Sequence, residues 1–303
     1  MTKIPPYLRK GHTIGIICPS GYMAMDKVTT CINALKDWGY KVKIGSTVGN
    51  EYHYFSGTDE ERLADLQAMI DDDGVNAILC ARGGYGLSRI IDKINFKKFR
   101  KNPKWIIGYS DITLLHSHLL KMYNIASLHS PMAAAFNNGE HQNEYIQSLK
   151  KILSGKKPTY SCAAHPNNKM GKASGKLIGG NLSLLCHTCG TPSDLKTDNS
   201  ILFLEDVGEY IYNIDRMLQQ LKRCGKFENL AGLVIGGFSD MKDTTIPFGN
   251  TIMEVIADVV GEYQYPICFN FPVGHSNENY PLKIGVNYEL AVGKQKVTLK
   301  EKF

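Results

Sequence analysis

Short apolar runs alternate with helical patterns over the first 123 residues, and this alternation restricts the fold more than any other feature. Such alternation requires parallel strands with helices on both faces of one sheet. In open parallel sheets, ligands bind beyond the carboxyl ends of the strands. The residues that follow each strand are therefore the candidates for a site. The predicted strands are Thr13 to Cys18, Tyr40 to Ile44, Asn76 to Ala81 and Trp105 to Gly108.

The second half of the chain has a different organisation. From Gly155 to Lys172 the periodicity is lost among prolines, asparagines and lysines, which predicts a linker at 156–172 between domains 1–155 and 173–303. In the last segment apolar and polar residues alternate over two runs, Tyr288 to Val292 and Gln295 to Leu299, which predicts a β-hairpin. The predicted fold class is α/β, with an N-terminal doubly wound parallel sheet and a C-terminal mixed α/β domain.

Charge and hydropathy exclude several classes of function. The 35 Lys and Arg residues against 29 Asp and Glu give a net charge of +6, spread without a basic patch, so nucleic acid is not an expected partner. No apolar run reaches the roughly 18 residues that span a bilayer. The N-terminus does not resemble a secretory signal, because its apolar stretch stops at Pro19. We therefore expect a cytoplasmic protein without membrane attachment.

Ser110 is the candidate nucleophile. It stands in Gly108-Tyr109-Ser110-Asp111, where the fourth predicted strand turns into a helix. A strand-to-helix turn exposes the hydroxyl, as in the nucleophile elbow of Gly-x-Ser-x-Gly hydrolases, but Ile112 replaces the second small residue. The alternative is that Ser110 or Asp111 only caps the next helix, as these residue types often do.

The segment Arg82-Gly83-Gly84-Tyr85-Gly86 follows the third strand directly. Glycine there allows a positive φ and close backbone approach, so its N–H groups suit an anion or an oxyanion. The segment matches neither a P-loop nor Gly-x-Gly-x-x-Gly, which leaves nucleotide phosphate unsupported. A simple tight turn between strand and helix explains the glycines equally well.

Polar side chains also follow two predicted strands of the second half. Glu205 and Asp206 come after Ile201 to Leu204, and His275 comes after a buried apolar run. A serine nucleophile needs a base, and the base needs a carboxylate to fix its tautomer. Taken singly, His275 fits a loop or core histidine, and Glu205 fits a helix-start carboxylate.

The sequence predicts no metal site and no cofactor. Cys186 and Cys189 lack a second pair at zinc spacing and are expected to be core thiols. His116 and His118 stand two apart on a predicted helix, so they point to different faces.

Six motifs in register resemble the LD-carboxypeptidase family of serine peptidases, which includes muramoyltetrapeptide carboxypeptidases and microcin-immunity peptidases. The resemblance spans nearly the whole chain. The motifs are Gly11 to Ser20, Arg82 to Gly86, Gly108 to Asp111, Gly179 to Leu182, Leu204 to Asp206 with Ile214 to Leu218, and Pro272 to His275.

This resemblance implies roles for the candidate residues. Ser110 becomes the nucleophile, His275 the general base and Glu205 the orienting carboxylate, with Glu209 the less favoured carboxylate. The N–H groups of Asp111 and of Gly83 or Gly84 would form the oxyanion hole, and Arg82 is a candidate for binding the substrate's terminal carboxylate. The resemblance also implies an active site in the cleft between two domains, no metal, and a homodimer.

The expected function is removal of the terminal D-alanine from murein tetrapeptides or related muropeptides in cell-wall recycling. One alternative is an immunity peptidase that cleaves a peptidyl-nucleotide antibiotic with the same triad. Another is a non-catalytic module that binds a sugar or peptide, for which Ser110 would be dispensable.

Overall fold

The computed structural model describes residues 2–137 and 142–302, and these residues divide into two compact units. The N-terminal unit comprises residues 1–156 together with 280–283, and the C-terminal unit comprises 157–279 together with 284–303. The strands of the N-terminal unit are β1 Thr13–Ile17, β2 Lys41–Ile44, β3 Ala77–Cys80, β4 Trp105–Gly108 and β5 Ser127–His129. Its helices are α1 Thr29–Asp37, α2 Asp59–Asp71, α3 Lys97–Lys101, α4 Thr113–Tyr123 and α5 Glu144–Leu153.

The sheet of the N-terminal unit has the order β2-β1-β3-β4-β5, and every pairing among these strands is parallel. All residues of β3 and β4 are buried, as expected for parallel strands covered on both faces. This is a doubly wound strand order: β2 is added on one side of β1, and β3 to β5 are added on the other, so the topological switch point lies between β1 and β3. The loops after these two strands, and the adjacent loop after β4, therefore lie where such folds bind ligands.

The C-terminal unit is built on a mixed seven-stranded sheet with the order β10-β9-β8-β7-β12-β13-β6. Strands β7 to β10 are mutually parallel, and β12, β13 and β6 are antiparallel additions at one side. Its strands are β6 Thr159–Ala163, β7 Gly171–Asn181, β8 Ser200–Val207, β9 Gly232–Ser239, β10 Ile267–Cys268, β12 Asn287–Val292 and β13 Lys296–Glu301. Its helices are α6 Leu182–Thr188, α7 Ile211–Arg223 and α8 Ile252–Val260.

The predicted fold class is confirmed, because a parallel doubly wound unit is followed by a mixed α/β unit. The predicted hairpin is also present, with Leu290 opposite Leu299. Within the described residues, no helix is both long and apolar enough to cross a membrane.

Two features differ from the sequence-based expectation. Residues 159–163 lie in the predicted linker but form β6, which pairs antiparallel with β13 at the edge of the sheet. An edge strand needs apolar residues on one face only, and here Tyr160 is the buried one, so the strand carries little periodic signal. In addition, strand β11 (Leu282–Ile284) joins the sheet of the N-terminal unit beside β5.

Candidate active site

Ser110 lies at a strained turn between β4 and α4. Its φ of 65° is left-handed, which is uncommon for a residue other than glycine and costs about 1–3 kcal/mol. A 3-10 turn over Ser110–Ile112 follows directly and leads into α4. No side chain caps either the turn or α4 with a hydrogen bond, so neither Ser110 nor Asp111 serves as a side-chain cap. The strain therefore presents the Ser110 hydroxyl at the carboxyl end of β4.

The glycine loop, residues 82–86 after β3, packs directly against Ser110. A methyl group on Gly83 would come within 2.9 Å of the Ser110 Cβ and 3.1 Å of its Oγ, so only glycine fits there. Gly84 has a φ of +97°, a conformation that also favours glycine. In residues 2–137 and 142–302, the amide nitrogens of Gly83 and Gly84 donate no hydrogen bond. They are thus available to an oxyanion beside Ser110.

The buried carboxylate of Asp111 connects the loops around Ser110. Its Oδ2 accepts hydrogen bonds from the Ser20 hydroxyl at 2.6 Å and from the Leu87 amide at 3.0 Å. Asp111 is only 1% exposed, and burial raises its pKa above the usual aspartate value, against the lowering effect of these two hydrogen bonds. The Asp111 side chain therefore fixes the loop after β1 and the end of the glycine loop relative to the strained turn at Ser110, called the elbow below.

Replacing Ser20 with alanine is expected to lower the free energy of unfolding by about 1–3 kcal/mol, because the buried Asp111 carboxylate loses one of its two donors. Urea denaturation followed by circular dichroism measures the change. Ser117→Ala is the control, since the Ser117 hydroxyl is buried without a partner among the described residues. A Ser20→Ala variant as stable as wild type would show that this hydrogen bond does not hold the loops.

Two arginines hold the same loops. The Arg62 side chain is fully buried and donates to the carbonyl of Pro19 at 2.8 Å and to that of Gly86 at 3.1 Å. Arg82 is exposed and donates to the carbonyl of Tyr22 at 2.6 Å. Arg62 was not predicted from the sequence, because an arginine on a helix is usually exposed.

Glu205 lies inside β8, whereas the sequence predicted that the strand ends at Leu204. The strand runs on to Val207, and its register against β9 shifts between Leu204 and Asp206. The space beside Glu205 depends on glycine, since a methyl group on Gly274 would lie 3.0 Å from the Glu205 Cβ. The backbone around Glu205 is thus shaped to admit a carboxylate and the segment that carries His275.

Glu205 and His275 form a hydrogen-bonded pair. The Nδ1 atom of His275 lies 2.7 Å from Oε2 of Glu205, and the carboxylate side chain is fully buried while that of the imidazole is 15% exposed. When Glu205 is ionised, Nδ1 carries the shared proton, and Nε2 is the nitrogen that accepts another. This is the arrangement of a general base oriented by a carboxylate.

The pKa values of this pair reflect two opposing effects. Burial alone would lower the pKa of His275, but the charge and hydrogen bond of Glu205 outweigh it and raise that pKa above the ordinary value. Burial raises the pKa of Glu205, against the lowering effect of His275. The imidazole is therefore a stronger base than an ordinary histidine because of its buried partner.

The other nearby carboxylates have different partners. Asp206 accepts hydrogen bonds from the Asn181 side chain, from Ser183 and from its own neighbour Val207. Glu209 accepts hydrogen bonds from Asn213 and Ser183. Of Glu205 and Glu209, the two carboxylates considered from the sequence, Glu205 is thus the one hydrogen-bonded to His275.

The histidines and cysteines that the sequence excludes as metal ligands have structural partners. Nε2 of His116 lies 2.8 Å from the carbonyl of Gly108, and burial lowers the pKa of His116 to about 4. His118 is buried on α4 as well, and its ring packs at a tilt against that of Phe96. Cys186 is buried and donates to the carbonyl of Met217, whereas Cys189 is half-buried at the end of α6. Among the residues that the structure describes, no group of three or more His, Cys, Asp or Glu side chains is placed to hold a metal.

The predicted site residues thus form two groups. Ser110, Gly83, Gly84, Asp111 and Arg82 belong to the N-terminal unit, and Glu205 and His275 belong to the C-terminal unit. In the first group Gly83 contacts Ser110 directly, and in the second Glu205 contacts His275. The side-chain role of Asp111, and its partner Ser20, were not predicted.

Comparison with known proteins identifies the family. Residues 14–130 match the model of an LD-carboxypeptidase N-terminal domain, and residues 174–290 match that of an LD-carboxypeptidase C-terminal domain. The chain is 37% identical to the probable murein peptide carboxypeptidase of Bacillus subtilis over 284 residues, which cover 93% of this chain and 89% of the relative.

Solved structures show the same architecture. The muramoyltetrapeptide carboxypeptidase from Oxalobacter formigenes superposes with a TM-score of 0.86 at 27% identity, covering 96% of this chain and 99% of that one. MccF, solved in complex with glutamyl sulfamoyl guanosine, also superposes with a TM-score of 0.86, covering 99% of this chain and 98% of that one. Its sequence identity is 22%, so this likeness shows the fold alone. Both domain models and a relative aligned over almost its full length place this chain in the LD-carboxypeptidase family.

Proposed function

We propose that the chain is a serine-type LD-carboxypeptidase that removes the terminal D-alanine from murein tetrapeptides. The buried Glu205–His275 pair carries this proposal, because it supplies the oriented base that a serine nucleophile requires. The family and the names of the Bacillus subtilis and Oxalobacter formigenes relatives support the murein substrate.

The proposed reaction begins with transfer of the Ser110 hydroxyl proton to Nε2 of His275. Oγ of Ser110 attacks the carbonyl carbon of the third residue, and the amides of Gly83, Gly84 and Asp111 stabilise the resulting oxyanion. The C–N bond then breaks, and Nε2 returns its proton to the departing amine of D-alanine. Water, deprotonated by His275, hydrolyses the ester and releases the tripeptide and free Ser110.

The strained elbow contributes to this chemistry before substrate arrives. The left-handed φ of Ser110 and the Asp111 contacts are built into the fold, and Ser110 lies beside Gly83, so the nucleophile and an oxyanion donor are neighbours before substrate binds. Preorganised donors of this kind contribute about 10²- to 10³-fold each to the rate.

Release of free D-alanine from the tetrapeptide L-Ala-γ-D-Glu-meso-diaminopimelate-D-Ala tests the proposal. We expect release that persists in the presence of a metal chelator, and none from the same peptide ending in L-alanine. D-alanine is quantified by chiral chromatography. Wild-type protein that releases no D-alanine, or that loses its activity with the chelator, would refute the assignment.

We further propose that the enzyme acts in cell-wall recycling in the cytoplasm and as a homodimer. The family resemblance of the sequence supports these three points, and the murein-related name of the Bacillus subtilis relative supports the first. Sedimentation velocity of the purified protein measures the oligomeric state.

A further inference from the structure

The turn that carries Tyr54 lies beside the glycine loop. Tyr52 and Phe55 exchange backbone hydrogen bonds of 3.0 and 2.9 Å, which places His53 and Tyr54 at the tip of a tight turn. The carbonyl of Tyr54 also accepts a hydrogen bond from the Tyr22 amide at 3.0 Å. The backbone of Tyr54 is thus held by its own turn and by the loop after β1.

The Tyr54 side chain has an exposed ring and a hydroxyl directed at the glycine loop. The residue is 51% exposed, so its ring is accessible to a ligand. A methyl group on Gly84 would come within 2.7 Å of the Tyr54 hydroxyl oxygen. The hydroxyl therefore lies beside Gly84, whose amide is one of the three proposed for the oxyanion hole.

A positive charge lies at the same place. A methyl group on Gly21 would come within 3.6 Å of Nε of Arg82, and the backbone of Gly21 in turn borders Gly84. The Arg82 guanidinium has five N–H groups, and among the described residues it donates one hydrogen bond, to the carbonyl of Tyr22. The phenol of Tyr54 borders Gly84, and the guanidinium of Arg82 borders the neighbouring Gly21. Together they offer one neutral and one charged donor, which suit a carboxylate.

The spacing fits the end of a peptide. Ser110 contacts Gly83 and the Tyr54 hydroxyl contacts Gly84, and consecutive Cα atoms are about 3.8 Å apart. In the substrate, three bonds with a summed length of about 4.3 Å connect the attacked carbonyl carbon to the terminal carboxylate carbon. The Tyr54 hydroxyl thus contacts the residue after the glycine that borders Ser110. In the same way, the terminal carboxylate belongs to the residue after the carbonyl that Ser110 attacks.

We propose that the Tyr54 hydroxyl, alongside Arg82, donates a hydrogen bond to the terminal carboxylate of the departing D-alanine. This inference rests on the proposed function and adds to it the group that makes the enzyme a carboxypeptidase. An endopeptidase has no need to recognise a free carboxylate, whereas a carboxypeptidase selects substrates by it.

Two substrates that differ only at the carboxyl terminus test this role. The murein tetrapeptide and its D-alaninamide analogue are cleaved by wild type and by Tyr54→Phe, and mass spectrometry quantifies the D-alanine or D-alaninamide released. We expect wild type to prefer the acid, and Tyr54→Phe to lower kcat/KM for the acid by about 10- to 100-fold while changing that for the amide by less than about threefold. The ratio between substrates, rather than the rate alone, reports carboxylate recognition.

Tyr85→Phe is the matched control. Tyr85 lies in the glycine loop itself and is exposed to a similar degree, 48%, but its hydroxyl pairs with Arg89. We expect this variant to keep the wild-type ratio.

Equal loss on both substrates in Tyr54→Phe, no loss on either, or a wild type that does not distinguish acid from amide would overturn the role of Tyr54. Wild-type protein that cleaves neither substrate would instead refute the proposed function, and this inference with it.

Discussion

Replacing Ser110 with alanine is expected to lower kcat for D-alanine release by roughly 10⁴- to 10⁶-fold, because no other group can form the ester. Alanine tolerates a left-handed φ about as poorly as serine does, so the elbow should keep its shape and the variant its fold. Chiral chromatography after long incubations quantifies the residual rate. That residual reflects the oxyanion donors and substrate binding alone.

Ser117→Ala is the control for this experiment too. Ser117 lies on the helix that follows the elbow, and its hydroxyl has no partner in the described part of the chain, so its loss should leave kcat unchanged. If Ser110→Ala kept more than about a tenth of the wild-type rate, the serine mechanism would be wrong. Such a result would favour a mechanism that does not use a serine nucleophile.

Replacing Glu205 with glutamine is expected to lower kcat by about 10⁴-fold and to move the acidic limb of the kcat/KM profile to lower pH. The negative charge of Glu205 stabilises protonated His275 and so raises its pKa. Glutamine removes this charge, burial of the imidazole then dominates, and the pKa of His275 falls. Since the base must be unprotonated to act, activity should persist to lower pH than in wild type.

The pH dependence of kcat/KM across the histidine range measures this shift. Glu209→Gln is the matched control, because Glu209 is hydrogen-bonded to Asn213 and Ser183 instead. Its profile should coincide with that of wild type. An acidic limb that stays in place or moves to higher pH in Glu205→Gln would contradict the assigned partnership.

Much of the fold is predictable because it depends on local patterns. The buried parallel strands β3 and β4 are continuous apolar runs, and α2 begins with the capping box of Thr58 and Glu61. The hairpin of β12 and β13 follows from strict alternation around Gly293 and Lys294. Each of these signals lies within a few residues of the element that it predicts.

The remaining features depend on contacts between distant residues. The hydrogen bond from Ser20 to Asp111 joins positions 91 apart, and no local pattern marks either residue as its partner. The sequence predicts that the strand ends at Leu204, where its apolar run stops. The bond of Glu205 to His275, 70 positions away, nevertheless allows this carboxylate to lie within β8. Likewise, no turn or repeat signals that residues 280–283 join the N-terminal unit.

In the proposed mechanism Ser110 and His275 act in one reaction although they belong to different units. The most direct test compares residual D-alanine release by Ser110→Ala, His275→Ala and the double variant. Residues that act as one catalytic unit are strongly non-additive, so the double variant should be about as active as either single variant. If the two losses instead multiplied, Ser110 and His275 would contribute independently, and the proposed triad would be wrong.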